Sequence, residues 1–182
     1  GEDQPRFKTI IPDRTILLGS FSKTVVPSFR IGWIVAPEKI LDKLIIAKQA
    51  SDLHTNYLSQ RIIAQYIADY NFNAHVQLIC ERYGAQRNAM INAIRKDFPE
   101  GVEHTEPEGG MFLWITLPEG ISSIELFEVA IKNKVAFVPG NPFYTYDIKV
   151  TNNLRLNFSS VDEKMIETGI QRLAKSINEV LG

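Results

Sequence analysis

The longest element this chain can form is a helix. An apolar helical pattern begins at Ala74, runs to about Phe98 and stops at Pro99-Glu100-Gly101, a helix-ending cluster. The periodicity differs on its two sides. Before it, Thr15 to Leu18 and Ile31 to Ala36 read as strands, and Pro37 opens a helix through about Lys48 with Ile40, Leu41, Leu44 and Ile45 on one face. A second helix is expected from Tyr57 to Asp69, interrupted by Asn71-Phe72-Asn73. After Gly101, Val102 to Thr105 and Met111 to Leu117 read as a hairpin joined across Pro107 to Gly110. Ser122 or Ser123 caps a helix to about Asn133, and Val135 to Val138 and Leu154 to Phe158 are further strands. Asp162 caps a last helix, Glu163 to Val180, with Met165, Ile166, Ile170, Leu173 and Ile177 as its apolar stripe. The first part is therefore α/β in pattern. The second is α+β, with helices on one side of a small, mainly antiparallel sheet, and it has enough pattern to fold by itself.

Composition excludes several classes. With 45% hydrophobic residues, 23% charged residues and a net charge of −1, nothing points to nucleic acid. No apolar run approaches the roughly 20 residues of a membrane span. Cys80 is alone, which excludes an internal disulfide and suggests a reducing, cytoplasmic setting. His54, His75 and His104 lack metal-ligand spacing, so no metal site is expected.

The chemistry concentrates around Lys23. It lies in Gly19-Ser20-Phe21-Ser22-Lys23-Thr24, directly after the apolar run Ile16-Leu17-Leu18, where open α/β sheets build their ligand crevices. Arg30 follows seven residues later and opens Ile31-Gly32-Trp33-Ile34-Val35-Ala36, in which Gly32 permits close backbone approach. Lysine amines act as nucleophiles where desolvation or a neighbouring cation disfavours their protonated form, and Arg30 is the cation at hand. A guanidinium also offers a planar fork of donors to a phosphate. Ser20 and Ser22, at alternating positions of an extended segment, can donate to phosphate oxygens. A solvated surface lysine is the ordinary alternative. Together these four residues suit one ligand, a phosphorylated aldehyde such as pyridoxal 5′-phosphate.

Two other motifs fail. Ser22-Lys23-Thr24 lacks the glycines of a P-loop, since Ser22 and Leu17 stand at their positions. Ser20-Phe21-Ser22-Lys23 fits the Ser-x-x-Lys of β-lactamases, but neither Ser-Asp-Asn nor Lys-Thr-Gly follows.

The chain resembles the fold-type I, pyridoxal-phosphate-dependent aminotransferases of classes I and II. Within them it is most similar to the 2-aminoadipate and kynurenine aminotransferase group, which shares the Ser-x-Ser-Lys core and the seven-residue interval from Lys23 to Arg30. Further similarity lies in Lys48 to Thr55, in Pro107-Glu108-Gly109-Gly110-Met111-Phe112-Leu113-Trp114, in Val138-Pro139-Gly140-Asn141-Pro142-Phe143-Tyr144 and in Leu154 to Ser159. The resemblance implies that Lys23 forms an imine with the cofactor and then carries the proton between the substrate's Cα and the cofactor. It makes Ser20, Ser22 and Arg30 phosphate anchors, and Arg155 the group that receives the substrate α-carboxylate. Leu154, Leu156 and Phe158 alternate with Arg155, Asn157 and Ser159, which puts the arginine on the opposite face of the strand from the apolar residues. An edge arginine facing solvent is the alternative. Phe143 and Tyr144 either line a substrate pocket or serve as ordinary core aromatics.

The resemblance also implies what the 182 residues lack. Family members carry an aspartate for the pyridine nitrogen, a tyrosine and an asparagine near the phenolic oxygen and a ring-stacking aromatic, all upstream of the lysine by more sequence than precedes Lys23. Asp13 is too near Lys23 to replace that aspartate. The expectation is a piece of a longer enzyme, inactive alone: residues 1-72 a remnant of the cofactor-binding large domain, residues 73-182 the interdomain helix and the small carboxyl-terminal domain. Gly1 to Thr9, with no initiator Met and no targeting pattern, reads as a cut boundary. The parent would exchange an amino group between an amino acid and a 2-oxo acid, as a homodimer. Two alternatives stand beside it, the effector domain of a GntR/MocR-type transcription regulator and a pyridoxal-phosphate-dependent lyase. Which amino acid is preferred stays open.

Overall fold

The computed structural model describes residues 5–146 and 150–182. The chain separates into two compact units, Gly1–Ile79 and Cys80–Gly182.

The first unit contains a short helix α1 (Phe7–Ile10), the strands β1 (Leu17–Ser20) and β2 (Gly32–Val35), and the helices α2 (Glu38–Ser51) and α3 (Tyr57–Asp69). It also holds the start of α4 (Phe72–Asp97), which continues into the second unit. The strands pair antiparallel, Leu17 opposite Val35 and Ser20 opposite Gly32. β1 therefore runs two residues further than its apolar run predicts, because Gly19 and Ser20 pair with Trp33 and Gly32. A Cβ at Gly32 would lie 3.0 Å from the Gly19 carbonyl oxygen, so this pairing uses the close approach that glycine permits.

Helix starts follow local chemistry. Asn56 accepts from the Ser59 amide and opens α3, and Asn71 accepts from the Ala74 amide. The Asn71-Phe72-Asn73 segment is thus not a plain break: its first residue caps the long helix, which begins two residues earlier than its apolar periodicity shows.

This unit has almost no dry core. Ile31 and Ile63 are its buried apolar side chains among the described residues, whereas Leu18, Leu53 and Leu58 stand at least 66% exposed. The strand pair reads as buried in the sequence and is open here. Leu18, Trp33, Ile34, Leu41, Ile45 and Leu53 line a groove of about 640 Å³.

The second unit continues with β3 (Glu103–His104), β4 (Phe112–Thr116), α5 (Ser123–Lys132), β5 (Val138–Pro139), β6 (Asn153–Asn157) and α6 (Glu163–Leu181). Its sheet has the order β3-β4-β6-β5, and every pairing is antiparallel. Leu113 and Ile115 of β4 and Leu154 and Leu156 of β6 face the helices. They close on Ile91 and Ile94 of α4, Leu126 of α5 and Ile166, Ile170, Leu173 and Ile177 of α6. A two-layer α+β domain results, as the alternating strands and the apolar stripe of the last helix require. Met165 departs from that stripe and is 53% exposed.

β5 is shorter than the apolar run Val135 to Val138 predicts. Lys134 takes a left-handed conformation (φ 62°), and the Val135 amide turns back to the Ala130 carbonyl. Phe137 then packs into the core edge-to-face with Phe127, at 5.4 Å between centroids, so ladder pairing starts only at Val138. Asp162 accepts from the Met165 amide at 2.8 Å and caps α6. Asp162→Ala is expected to cost about 1 kcal/mol of stability, read as a lower denaturation midpoint at unchanged slope.

Among the described residues no helix is long and apolar enough to cross a membrane, and no three His, Cys, Asp or Glu side chains group to hold a metal ion.

Candidate functional site

The turn after β1 carries the predicted lysine. The Phe21 amide bonds to Ile31 at 3.0 Å, and the Phe21 carbonyl accepts from both Val25 and Val26. These bonds close one helical turn around residues 22–25 and lift Lys23 to the surface. Ser22 is therefore part of a turn and not of an extended segment. Ser20 and Ser22 nevertheless meet, because the Ser22 amide donates to Ser20 Oγ at 3.1 Å.

Arg30 reaches the same turn from the other side. Its backbone is left-handed (φ 54°), a conformation that costs a non-glycine residue about 1 kcal/mol. That turn of the chain brings Nη1 to 3.4 Å from Ser22 Oγ and 3.2 Å from the Pro27 carbonyl. No carboxylate of the described residues forms a salt bridge with Arg30, and the Lys23 amine has no hydrogen-bond or ion-pair partner among them. Two hydroxyls and an uncompensated guanidinium thus surround a turn whose lysine is unengaged. This donor set suits a phosphate dianion next to an electrophilic carbonyl.

The turn has supports that sequence reading missed. Phe21 packs edge-to-face on Phe72 at 6.4 Å. His75 Nε2 lies 3.0 Å from the Thr24 carbonyl oxygen, which only accepts, so that nitrogen carries a proton. His75 is itself held edge-to-face by Tyr66 at 5.8 Å. The first turn of α4 thereby clamps the residues on both sides of Ser22 and Lys23. Nothing local in the sequence signals this, since Thr24 and His75 are 51 residues apart.

In the second unit, Arg155 occupies an interior strand, with Trp114 opposite it on β4 and Val138 opposite it on β5. The edge-arginine reading fails here. Leu154 and Leu156 point into the core, so Arg155 projects from the outer face of the sheet. Its guanidinium carbon lies 3.9 Å from the Phe112 ring centroid and 4.7 Å from that of Phe143. Phe143 is 44% exposed, belongs to a 3₁₀ turn over Asn141–Phe143 and stands edge-to-face against Trp114 at 5.4 Å. It is no ordinary core aromatic. Phe112 and Trp114 had a legible signal: they alternate on the strand that pairs with Arg155.

Gly140 sets the position of that turn. Its amide donates to the Asn153 carbonyl at 2.8 Å, and a Cβ there would come within 2.8 Å of the same oxygen. Asn153 in turn receives Tyr144 Oη at 2.6 Å and donates to Thr116 Oγ1 at 3.0 Å. The turn that carries Phe143 is thus tied to β6 on both of its sides.

A left-handed arginine reaching Ser22 beside an unengaged lysine, in a chain whose second unit is a small α+β domain, fits one class: the fold-type I transferases. The chain belongs to the class I and II aminotransferase family, whose model matches residues 4–173. It is 47% identical over 167 residues to an aromatic-amino-acid aminotransferase of Thermococcus litoralis, covering 91% of this chain and 40% of that protein. To a 2-aminoadipate transaminase of Thermus thermophilus it is 37% identical, over 91% of this chain and 41% of that protein. The crystal structure of a multiple substrate aminotransferase from Thermococcus profundus superposes with a TM-score of 0.94 at 43% identity, covering 100% of this chain and 45% of that one. The chain therefore spans less than half the length of these relatives.

Proposed function

We propose that the whole protein is a pyridoxal-phosphate-dependent aminotransferase, exchanging an amino group between an amino acid and a 2-oxo acid, and that this chain supplies its lysine, its phosphate anchors and its carboxylate-binding arginine. The observation that carries this is the cluster of Ser20, Ser22 and Arg30 around the turn of the unengaged Lys23. Family membership over residues 4–173 and the named relatives support it.

Each residue has a task. Arg30 and the two serine hydroxyls hold the phosphate, the guanidinium meeting its negative charge and the hydroxyls donating to its oxygens. Pyridoxal phosphate, when bound, supplies an aldehyde for covalent attachment and a ring that withdraws electrons from the substrate carbon. Lys23 Nζ takes the proton from the substrate Cα and returns it one position away, acting as base and then as acid. Arg155 grips the substrate carboxylate and so orients the Cα–H bond, while Phe143 borders the substrate beside it. Because the chain spans less than half the length of these relatives, these residues alone are expected to be inactive. A homodimer of the whole protein is part of this reading.

A regulator with an aminotransferase-like effector domain is the weaker reading, because two HTH-type transcriptional regulators of Bacillus subtilis match at 28% and 29% identity, below the 47% and 37% of the aminotransferases above. The assay that decides uses the full-length protein with 2-oxoglutarate and, in turn, L-phenylalanine, L-2-aminoadipate and L-leucine. Glutamate should form with at least one of them. Release of ammonia and pyruvate from a suitable amino acid, without glutamate, would make it a lyase. Arg155→Lys should raise the KM for the amino acid by about tenfold or more, because it replaces a bidentate fork with a point charge.

A further inference from the structure

The outer face of the second unit's sheet presents Arg155 in an unusual setting. Arginines on strands are ordinarily held by a carboxylate or by water, yet none of the described carboxylates forms a salt bridge with this one. Two aromatic rings stand there instead, at 3.9 Å and 4.7 Å from the guanidinium carbon. Both lie inside the roughly 6 Å range of cation–π attraction.

The register explains how the rings arrive. Phe112 pairs with Asn157, which places it diagonally beside Arg155 on the same face, within reach of a long side chain. Phe143 comes from the 3₁₀ turn after Gly140, and Trp114 stands edge-to-face behind it at 5.4 Å. Two separate backbone segments, β4 and the 3₁₀ turn, thus converge on one guanidinium.

We propose that Phe112 and Phe143 are positioning residues for Arg155, fixing its guanidinium by cation–π contact so that its N–H groups remain unspent for a substrate carboxylate. This rests on the assignment of Arg155 given above. The physical reason is a matter of competition. An acidic partner would also immobilise the side chain, but it would neutralise the charge and occupy the same N–H donors that an incoming carboxylate needs. A ring attracts the cation through its quadrupole and accepts none of those hydrogen bonds in the guanidinium plane. The arginine is held while its charge and its donors stay available.

The test uses full-length protein and three probes: L-phenylalanine, hydrocinnamate (the acid without the amine) and phenethylamine (the amine without the acid). Binding of hydrocinnamate and of phenethylamine is measured by calorimetry, and L-phenylalanine by amino-group transfer. Phe112→Leu and Phe143→Leu should each weaken hydrocinnamate binding and raise the phenylalanine KM by about three- to tenfold, with phenethylamine unchanged in Phe112→Leu, whose ring does not border the substrate. Phe112→Tyr, which keeps the ring, should restore the wild-type values. Because Phe112 and Phe143 are 37% and 44% exposed, neither leucine variant opens the core, and each tests the proposal independently of the other. If Arg155→Lys weakens hydrocinnamate binding and both leucine variants bind it as wild type does, the positioning role is overturned and the function stands. An equal loss for phenethylamine in Phe112→Leu would also overturn it, since that ring would then be touching the substrate side chain. If Arg155→Lys itself leaves hydrocinnamate binding unchanged, the assignment of Arg155 is what fails.

Discussion

Lys23→Ala in the full-length protein is expected to lower amino-group transfer by at least about a thousandfold, because the group proposed to move the substrate proton is removed. Ser20, Ser22 and Arg30 do not depend on that side chain. The Ser22 amide still bonds to Ser20 Oγ, and Arg30 still reaches Ser22. The variant should therefore keep the cofactor by its phosphate alone and lose it on dialysis faster than wild type. Borohydride is the decisive reagent: it should fix the cofactor to wild-type protein at Lys23 and fix none to the variant. Labelling of any other residue in the wild type would remove the basis of the proposed function. A variant that loses activity yet is still labelled at a new lysine would place the tether elsewhere.

Phe158→Ala should have the largest effect on stability, about 3–5 kcal/mol. Phe158 is 1% exposed and lies just past the end of β6, where its amide bonds to the Met111 carbonyl at 3.2 Å. It shares the core with Leu113, Leu156 and the stripe of α6. Truncation removes the ring and leaves a cavity between a sheet and helices that already have their backbone bonds made, so little collapse can refill it. Urea denaturation should show a lower midpoint with the same slope. A shift as small as that expected for Asp162→Ala would mean that the strand end adapts to the loss. The comparison also separates a packing effect from a capping effect within the same unit.

Much of the second unit was legible because its signals are local. The stripe Ile166, Ile170, Leu173 and Ile177, the cap at Asp162 and the alternation of Leu154, Leu156 and Phe158 each follow from residues within a few positions of one another. β5 came out shorter than expected because a left-handed Lys134 and a buried Phe137 used up the residues whose composition reads as strand. In the first unit, α3 came out at its expected bounds and the strand pair did not come out buried. The apolar pattern of β1 and β2 states what those faces prefer, and the 182 residues do not provide enough neighbours to satisfy it.

The site divides in the same way. Sequence alone pointed to Ser20, Ser22, Lys23 and Arg30 by their types and intervals along one short segment, and to Arg155 through the family resemblance. It could not show that Arg30 bends through a left-handed backbone to reach Ser22, that His75 and Phe72 brace the lysine turn, or that Phe112 and Phe143 stand against Arg155. Apart from the Arg30–Ser22 contact, those facts join residues far apart in the chain. They are decided by how strands and helices pack and by which side chain faces which across a register, and a one-dimensional pattern of polar and apolar positions carries no such information.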